Sequence, residues 1–356
     1  MTMCVALKLG AAIPPAKFQE LLTYPETKLG KTYSNHWVSL CEKMLEYVAP
    51  RTELSIDQER KWELVSALQK TIRRGDKEMA LHVISAMDSM PADYAHFWRR
   101  LCIIAFEDVG PADDVLATFV VVCSMIFTPK KTGAMNYALF CFLAEQMCEL
   151  SHRSHIYCSY AVIGNAAADS QLPELTETDK AIVSAILQRK AAVSHPASEW
   201  RQWQKKNDWR TAGLLKFAEL DFSLQRSTVQ APLPSQRMLF GLPSYCFDVY
   251  TRAGLETLRR LIRGAEGAEG IRDLFLRYPV QGANKALGEA LFYAEGGRIR
   301  GELVYDSLTD LEQRVFSHRF HLPHPVWVSL RDMALEAVDA GVVDRVREQV
   351  LQKSYG

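Results

Sequence analysis

Apolar side chains recur at helical spacing along most of the chain, and no segment of any length alternates strictly between apolar and polar. Leu64, Leu68 and Ile72, with Val65 beside them, form one stripe that predicts a helix stopping at Gly75. Asp76 is placed to cap a second helix across 77–87, with Met79, Val83, Ala86 and Met87 inward. Beyond Pro91, the positions of Tyr94, Phe97, Trp98, Leu101, Ile104 and Ala105 predict a third helix that Gly110-Pro111 ends. Upstream, Pro14-Pro15 open a helix over 17–22, and Trp37, Leu40, Cys41, Met44 and Leu45 mark another that closes before Pro50. Downstream, 115–127 and 134–150 are almost wholly apolar, which suits either the centre of a bundle or a subunit interface. Further helices are predicted over 157–168, 181–190 and 286–293, and a helix or pair of helices over 326–353. The expected fold class is all-α, a multi-helix bundle.

Charges interrupt this pattern where it is most apolar. Arg99, Arg100, Glu107 and Asp108 belong to the third helix of the trio, and an uncompensated buried charge is costly. The expectation is a buried Glu107 paired with Arg73 or Arg100, so that Glu107→Ala destabilises the fold without removing a chemical step.

The run A-L-Q-K-T-I-R-R-G-D (Ala67 to Asp76), followed by R-R-L-C-I-I-A-F-E-D-V-G (Arg99 to Gly110), resembles a known helical region. That region follows the ATPase core in the replication-associated recombination protein A (RarA, also MgsA) family of clamp-loader-like AAA+ ATPases. The resemblance covers 62–113 and extends weakly to about residue 150. It implies a helical collar that packs subunits into a tetramer, hence a homo-oligomer with replication or recombination proteins as partners. Arg73, Asp76, Arg100, Glu107, Asp108 and Gly110 fall in the matched runs and take structural roles under it. It also suits a stand-alone version of a housekeeping domain carried by a phage or mobile element. On this reading 1–60 is an N-terminal helical extension, 61–227 the collar-like domain, and 228–356 further C-terminal helices. The proline-bearing stretch 228–242 is the linker before them.

The family's ATPase motifs do not occur in these 356 residues. Gly30-Lys31-Thr32 is a fragment of a phosphate-binding loop, but Pro25 stands where the pattern wants its first glycine. No cofactor is expected. Composition adds little direction: 48% of residues are apolar, and lysine plus arginine equals aspartate plus glutamate at 42 each. No global field therefore draws nucleic acid or an anionic membrane, although a local basic patch is compatible. The 8 cysteines include no C-x-x-C pair, which points to reduced thiols and a cytoplasmic location, and no apolar run is long enough to span a membrane.

Candidate chemistry is sparse. Trp200, Arg201, Trp203, Lys205, Lys206, Trp209 and Arg210 interleave aromatic and basic residues, a composition able to stack bases and neutralise phosphates. This segment carries the alternative function, single-stranded nucleic-acid binding or processing; burial of Trp200 and Trp203 on one helix face is the plainer account. Asp248, Thr251, Arg252 and Arg259 have helical spacings that allow one polar cluster, able to hold a phosphate, to position a catalytic carboxylate in an enzyme centred on Asp248 and Arg252, or to close the bundle with ion pairs, the last being favoured. His152 and His155, and His318, His321 and His324, lack neighbouring carboxylates or cysteines, so no metal site is expected. The main expectation is a non-catalytic helical oligomerisation or adaptor protein linked to DNA replication or recombination.

Overall fold

A computed structural model of the chain describes residues 7–29, 35–50, 60–127, 133–154, 156–192, 226–229, 237–296 and 302–355. The all-α expectation holds. In chain order the helices are α1 (Leu9–Ala12), α2 (Pro15–Tyr24), α3 (Asn35–Glu46), α4 (Lys61–Arg74), α5 (Lys77–Asp88), α6 (Tyr94–Ile104), α7 (Asp114–Phe127) and α8 (Gly133–Glu149). They continue as α9 (Ile156–Ala168), α10 (Glu177–Ala192), α11 (Arg252–Ile262), α12 (Glu269–Arg277), α13 (Ala283–Leu291), α14 (Asp306–Arg319), α15 (His324–Asp339) and α16 (Val342–Tyr355). Short antiparallel ladders pair Leu7–Lys8 with Val48–Ala49, Arg226–Val229 with Glu302–Tyr305, and Met238–Leu239 with Leu242–Pro243.

The turn between α4 and α5 forms as the sequence predicts. Gly75 is left-handed at φ 65°, and the amides of Gly75 and Asp76 return to the carbonyls of Ile72 and Thr71. The Asp76 carboxylate then accepts from the Met79 amide at 3.1 Å and caps α5. Leu64, Leu68 and Ile72 are fully buried. The third helix departs from expectation. Its α-helical part stops at Ile104, Ala105–Val109 form a π-turn, and Gly110–Ala112 a 3₁₀ turn. Gly110 takes φ 51°, a conformation that suits glycine.

Two apolar cores result. The first gathers Leu21, Trp37, Leu68, Ile84, Trp98, Phe119, Phe127 and Phe142, and also takes in Leu242, Phe247, Leu311 and Leu351. It therefore crosses the boundary expected at 60/61 and receives chain from beyond the expected linker. The second holds Leu261, Ile271, Leu287, Phe316, Phe320, Trp327, Leu330 and Val343, with the Trp327 indole donating to Gln313 at 2.9 Å. α7, and α8 from Tyr137 onward, are buried nearly all round, and Trp37 meets Phe119 edge-on at 4.9 Å. Helix α16 contributes to both cores, Val342, Val343 and Val346 to one and Val350 and Leu351 to the other.

Candidate functional site: a polar spine along one helix

α4 would be a plain core helix if only its leucines counted. It also carries Ser66, Gln69, Lys70, Arg73 and Arg74, and all but Gln69 are buried. Each reaches a partner on a different part of the chain. Arg73 pairs with the Asp108 carboxylate in the π-turn, and Gln69 donates to the other oxygen of that carboxylate at 3.0 Å. Arg100 on α6 completes this arm by donating to the Gln69 amide oxygen at 2.8 Å. The Lys70 ammonium donates to Asp248 at 2.6 Å and to the Tyr245 carbonyl, while the Ser66 hydroxyl donates to Asp248 at 2.7 Å. Arg74 donates to the Glu295 carbonyl at 3.0 Å and lies 4.2 Å from the Tyr245 ring centre.

A second buried cation meets the same region from the other side. Arg347 of α16 forks onto both carboxylate oxygens of Glu295, and also donates to the Phe247 carbonyl and the Ser244 hydroxyl, each at 3.1 Å. Between the Lys70–Asp248 and Arg347–Glu295 pairs lies a cavity of about 10 Å³, room for a single water. An open cleft of about 150 Å³ adjoins the end of α4, bounded by Arg74, Ser244, Tyr245, Glu295 and Asp344.

The backbone holds Asp248 in this position by a close approach. A Cβ on Gly254 would sit 1.7 Å from the Asp248 carbonyl oxygen, so only glycine lets the two strands of chain pass. Thr251 caps α11 by accepting from the Gly254 amide at 3.0 Å. Of the four residues expected in one polar cluster, two are joined, the Thr251 hydroxyl donating to the Asp248 carbonyl at 3.0 Å. Asp248 precedes α11 and turns to α4, Arg252 and Arg259 are exposed, and Arg259 meets only Glu256, at 3.5 Å. Lys70, the true partner of Asp248, was not singled out by spacing. Its one sequence signal is a charge among Leu68, Thr71 and Ile72 on a helix otherwise suited to burial.

The expected partner of Glu107 goes to its neighbour instead. Arg73 takes Asp108, Arg100 takes Gln69, and Glu107 has no ion pair among the described residues. Burial pushes the Glu107 carboxyl up to about 7, the Asp108 charge adds to this, and Arg100 and Arg73 oppose it. Glu289 on α13 is likewise pushed up to about 7, first by burial, with Glu312 and Asp248 adding and Arg319 opposing. Two carboxyls that hold protons near neutral pH have the property a general acid needs. No group of carboxylates, histidines or cysteines among the described residues is arranged to hold a metal ion.

The remaining sequence candidates divide simply. Trp200, Arg201, Trp203, Lys205, Lys206, Trp209 and Arg210 lie outside the described residues, as do Gly30-Lys31-Thr32 and His155. Asp76 and Gly110 act in turns, as given above. No described helix is long and apolar enough to cross a membrane. The chain has no match among protein-family models, curated proteins or solved structures.

Proposed function

We propose that this protein is a non-catalytic helical scaffold that oligomerises, or docks onto DNA-replication or recombination machinery, in the manner of the collar of RarA-type clamp-loader relatives. One observation carries the reading. Across the two runs of sequence that resemble that collar, Gln69, Arg73, Arg100 and Asp108 are engaged with one another, while Arg99 and Glu107 of the second run stand outside this network. Residues so engaged fix the relation of α4 to α6 and the π-turn, and present no free nucleophile or base to a substrate. A motif of that kind serves a shape, and a shape of stacked helices serves contacts with other chains.

Light scattering coupled to gel filtration tests the oligomeric part. The expected result is a single species with the mass of four chains, unchanged on dilution through the micromolar range. A species with the mass of one chain at every concentration contradicts it.

A further inference from the structure

Trp62 sits in the first turn of α4, yet it is 54% exposed on a helix whose other apolar residues are buried. Its ring meets the His96 imidazole edge-on, with centroids 5.3 Å apart, and the Lys61 ammonium lies 5.4 Å from its centre. His96, Arg99 and Arg100 stand at i, i+3 and i+4 on α6 and so share one face of it. The far end of that face is fixed by the Arg100 bond to Gln69. Seven residues of α4 separate Trp62 from Gln69, a rise of about 10 Å. An exposed indole therefore opens a short track that guanidinium groups continue.

Cations outnumber carboxylates on this track, where Asp93 faces one end and Glu107 acts on Arg100 at the other. Lys61, Arg99 and Arg100 surround His96, and the carboxylate that opposes them there is Asp93, already held by Lys61 at 2.7 Å. The imidazole registers this, being pushed below its ordinary value by burial and then by those three cations. Among the described residues Arg99 has no ion pair or hydrogen bond. The buried Nε atoms of Arg99 and Arg100 and the Nε2 of His96 also lack hydrogen-bond partners. Those three nitrogens are shut off from solvent, so the donors that Arg99 can offer a ligand are its terminal guanidinium nitrogens, beside the exposed aromatic ring.

We propose that this α4–α6 face binds single-stranded nucleic acid, with Trp62 stacking on an unpaired base and Arg99 and Arg100 holding the adjoining phosphates. The chemistry favours a single strand, because a duplex keeps its bases stacked away from such a ring, whereas an unpaired base offers it a flat partner. Guanidinium groups match phosphate geometry through paired donors. Arg100 keeps its bond to Gln69 and contributes its remaining donors. The surface shares no residue with the 200–210 segment, and its binding does not depend on the oligomeric state proposed above.

Fluorescence anisotropy of a labelled oligothymidylate of about 12 nucleotides tests this. The expected affinity falls with salt, Trp62→Ala weakens it about tenfold, and Arg99→Gln lowers the slope against log salt by about 0.7. Trp62 is exposed and Arg99 half-buried, and circular dichroism of both variants should match the parent chain. Absence of binding in low salt overturns the proposal, as does binding that both variants retain in full. Loss on Trp203→Ala with Lys205→Glu, while Trp62→Ala binds normally, assigns the contact to the 200–210 segment and also overturns it. Polyglutamate that displaces the oligonucleotide as well as unlabelled oligothymidylate would mark the face as a site for acidic protein instead.

Discussion

Asp108 is wholly buried and accepts from both Arg73 and Gln69. Neutralising it removes the carboxylate that the Arg73 guanidinium, itself 1% exposed, pairs with. Asp108→Asn should therefore cost about 3–5 kcal/mol in urea unfolding. The adjacent carboxylate behaves in the opposite sense. Glu107 and Glu289 have native values of about 7 against an ordinary 4.5, so the folded state binds more protons than the unfolded state between those limits. Stability contributed by the bound proton is complete below about pH 4.5 and is lost progressively as pH rises from there through 7. Glu63 is raised by burial and acts in the same direction, while His96 is lowered and opposes it below pH 6.5. Comparing the parent chain with Glu107→Gln cancels those background groups. The parent should lose about 2 kcal/mol more than the variant between pH 5.5 and pH 7.5. Equal losses would show that the Glu107 carboxyl is ordinary. Glu107→Ala was expected from sequence to destabilise by breaking an ion pair; that pair belongs to Asp108, and the prediction moves with it.

At the scale of elements, the signals that were legible are local ones. The 3.6-residue repeat of Leu64, Leu68 and Ile72 and the Gly75-Asp76 pair place α4, its stop and the start of α5 almost without error. Thr176 and Asp179 form a reciprocal cap on α10, with the Thr176 amide donating to Asp179 at 2.7 Å and the Asp179 amide donating to the Thr176 hydroxyl at 3.2 Å. The π-turn at Ala105–Val109 was not legible, because nothing within those five residues selects it over a continuing helix. Its setting is tertiary, through the reach of Asp108 to Arg73 and the amide of Ser154, which donates to the Asp108 carbonyl at 3.2 Å. The two-residue ladders escaped notice for a similar reason, being too short to show a repeat of two. Turn predictions follow from the parts that were read. Gly75→Ala should cost about 1 kcal/mol through its left-handed conformation, and Asp76→Ala a similar amount through loss of the cap. Thermal unfolding of both variants checks this, and an unchanged midpoint for either would remove the corresponding role.

Across the whole molecule, the contacts that matter most join residues far apart in the chain. Lys70 and Asp248 are separated by 178 positions and Arg74 and Glu295 by 221, distances at which one sequence carries no pairing signal. The candidate site was consequently half visible. The matched runs drew attention to Arg73, Arg100 and Asp108, whereas Lys70, Tyr245, Glu295 and Arg347 emerged only from the fold. Their arrangement makes α4 the tie between the first core and the chain that follows residue 237, and Arg347 extends that tie to α16. A spine of this kind predicts that the two cores open together. Hydrogen exchange of the parent chain and of Asp248→Asn, followed by mass spectrometry on peptides from α7 and α15, tests it most directly. One shared opening free energy is expected in the parent, with a parallel fall in both peptides in the variant. A fall confined to α15, with α7 unchanged, would contradict the claim that the polar residues of α4 hold the whole molecule together.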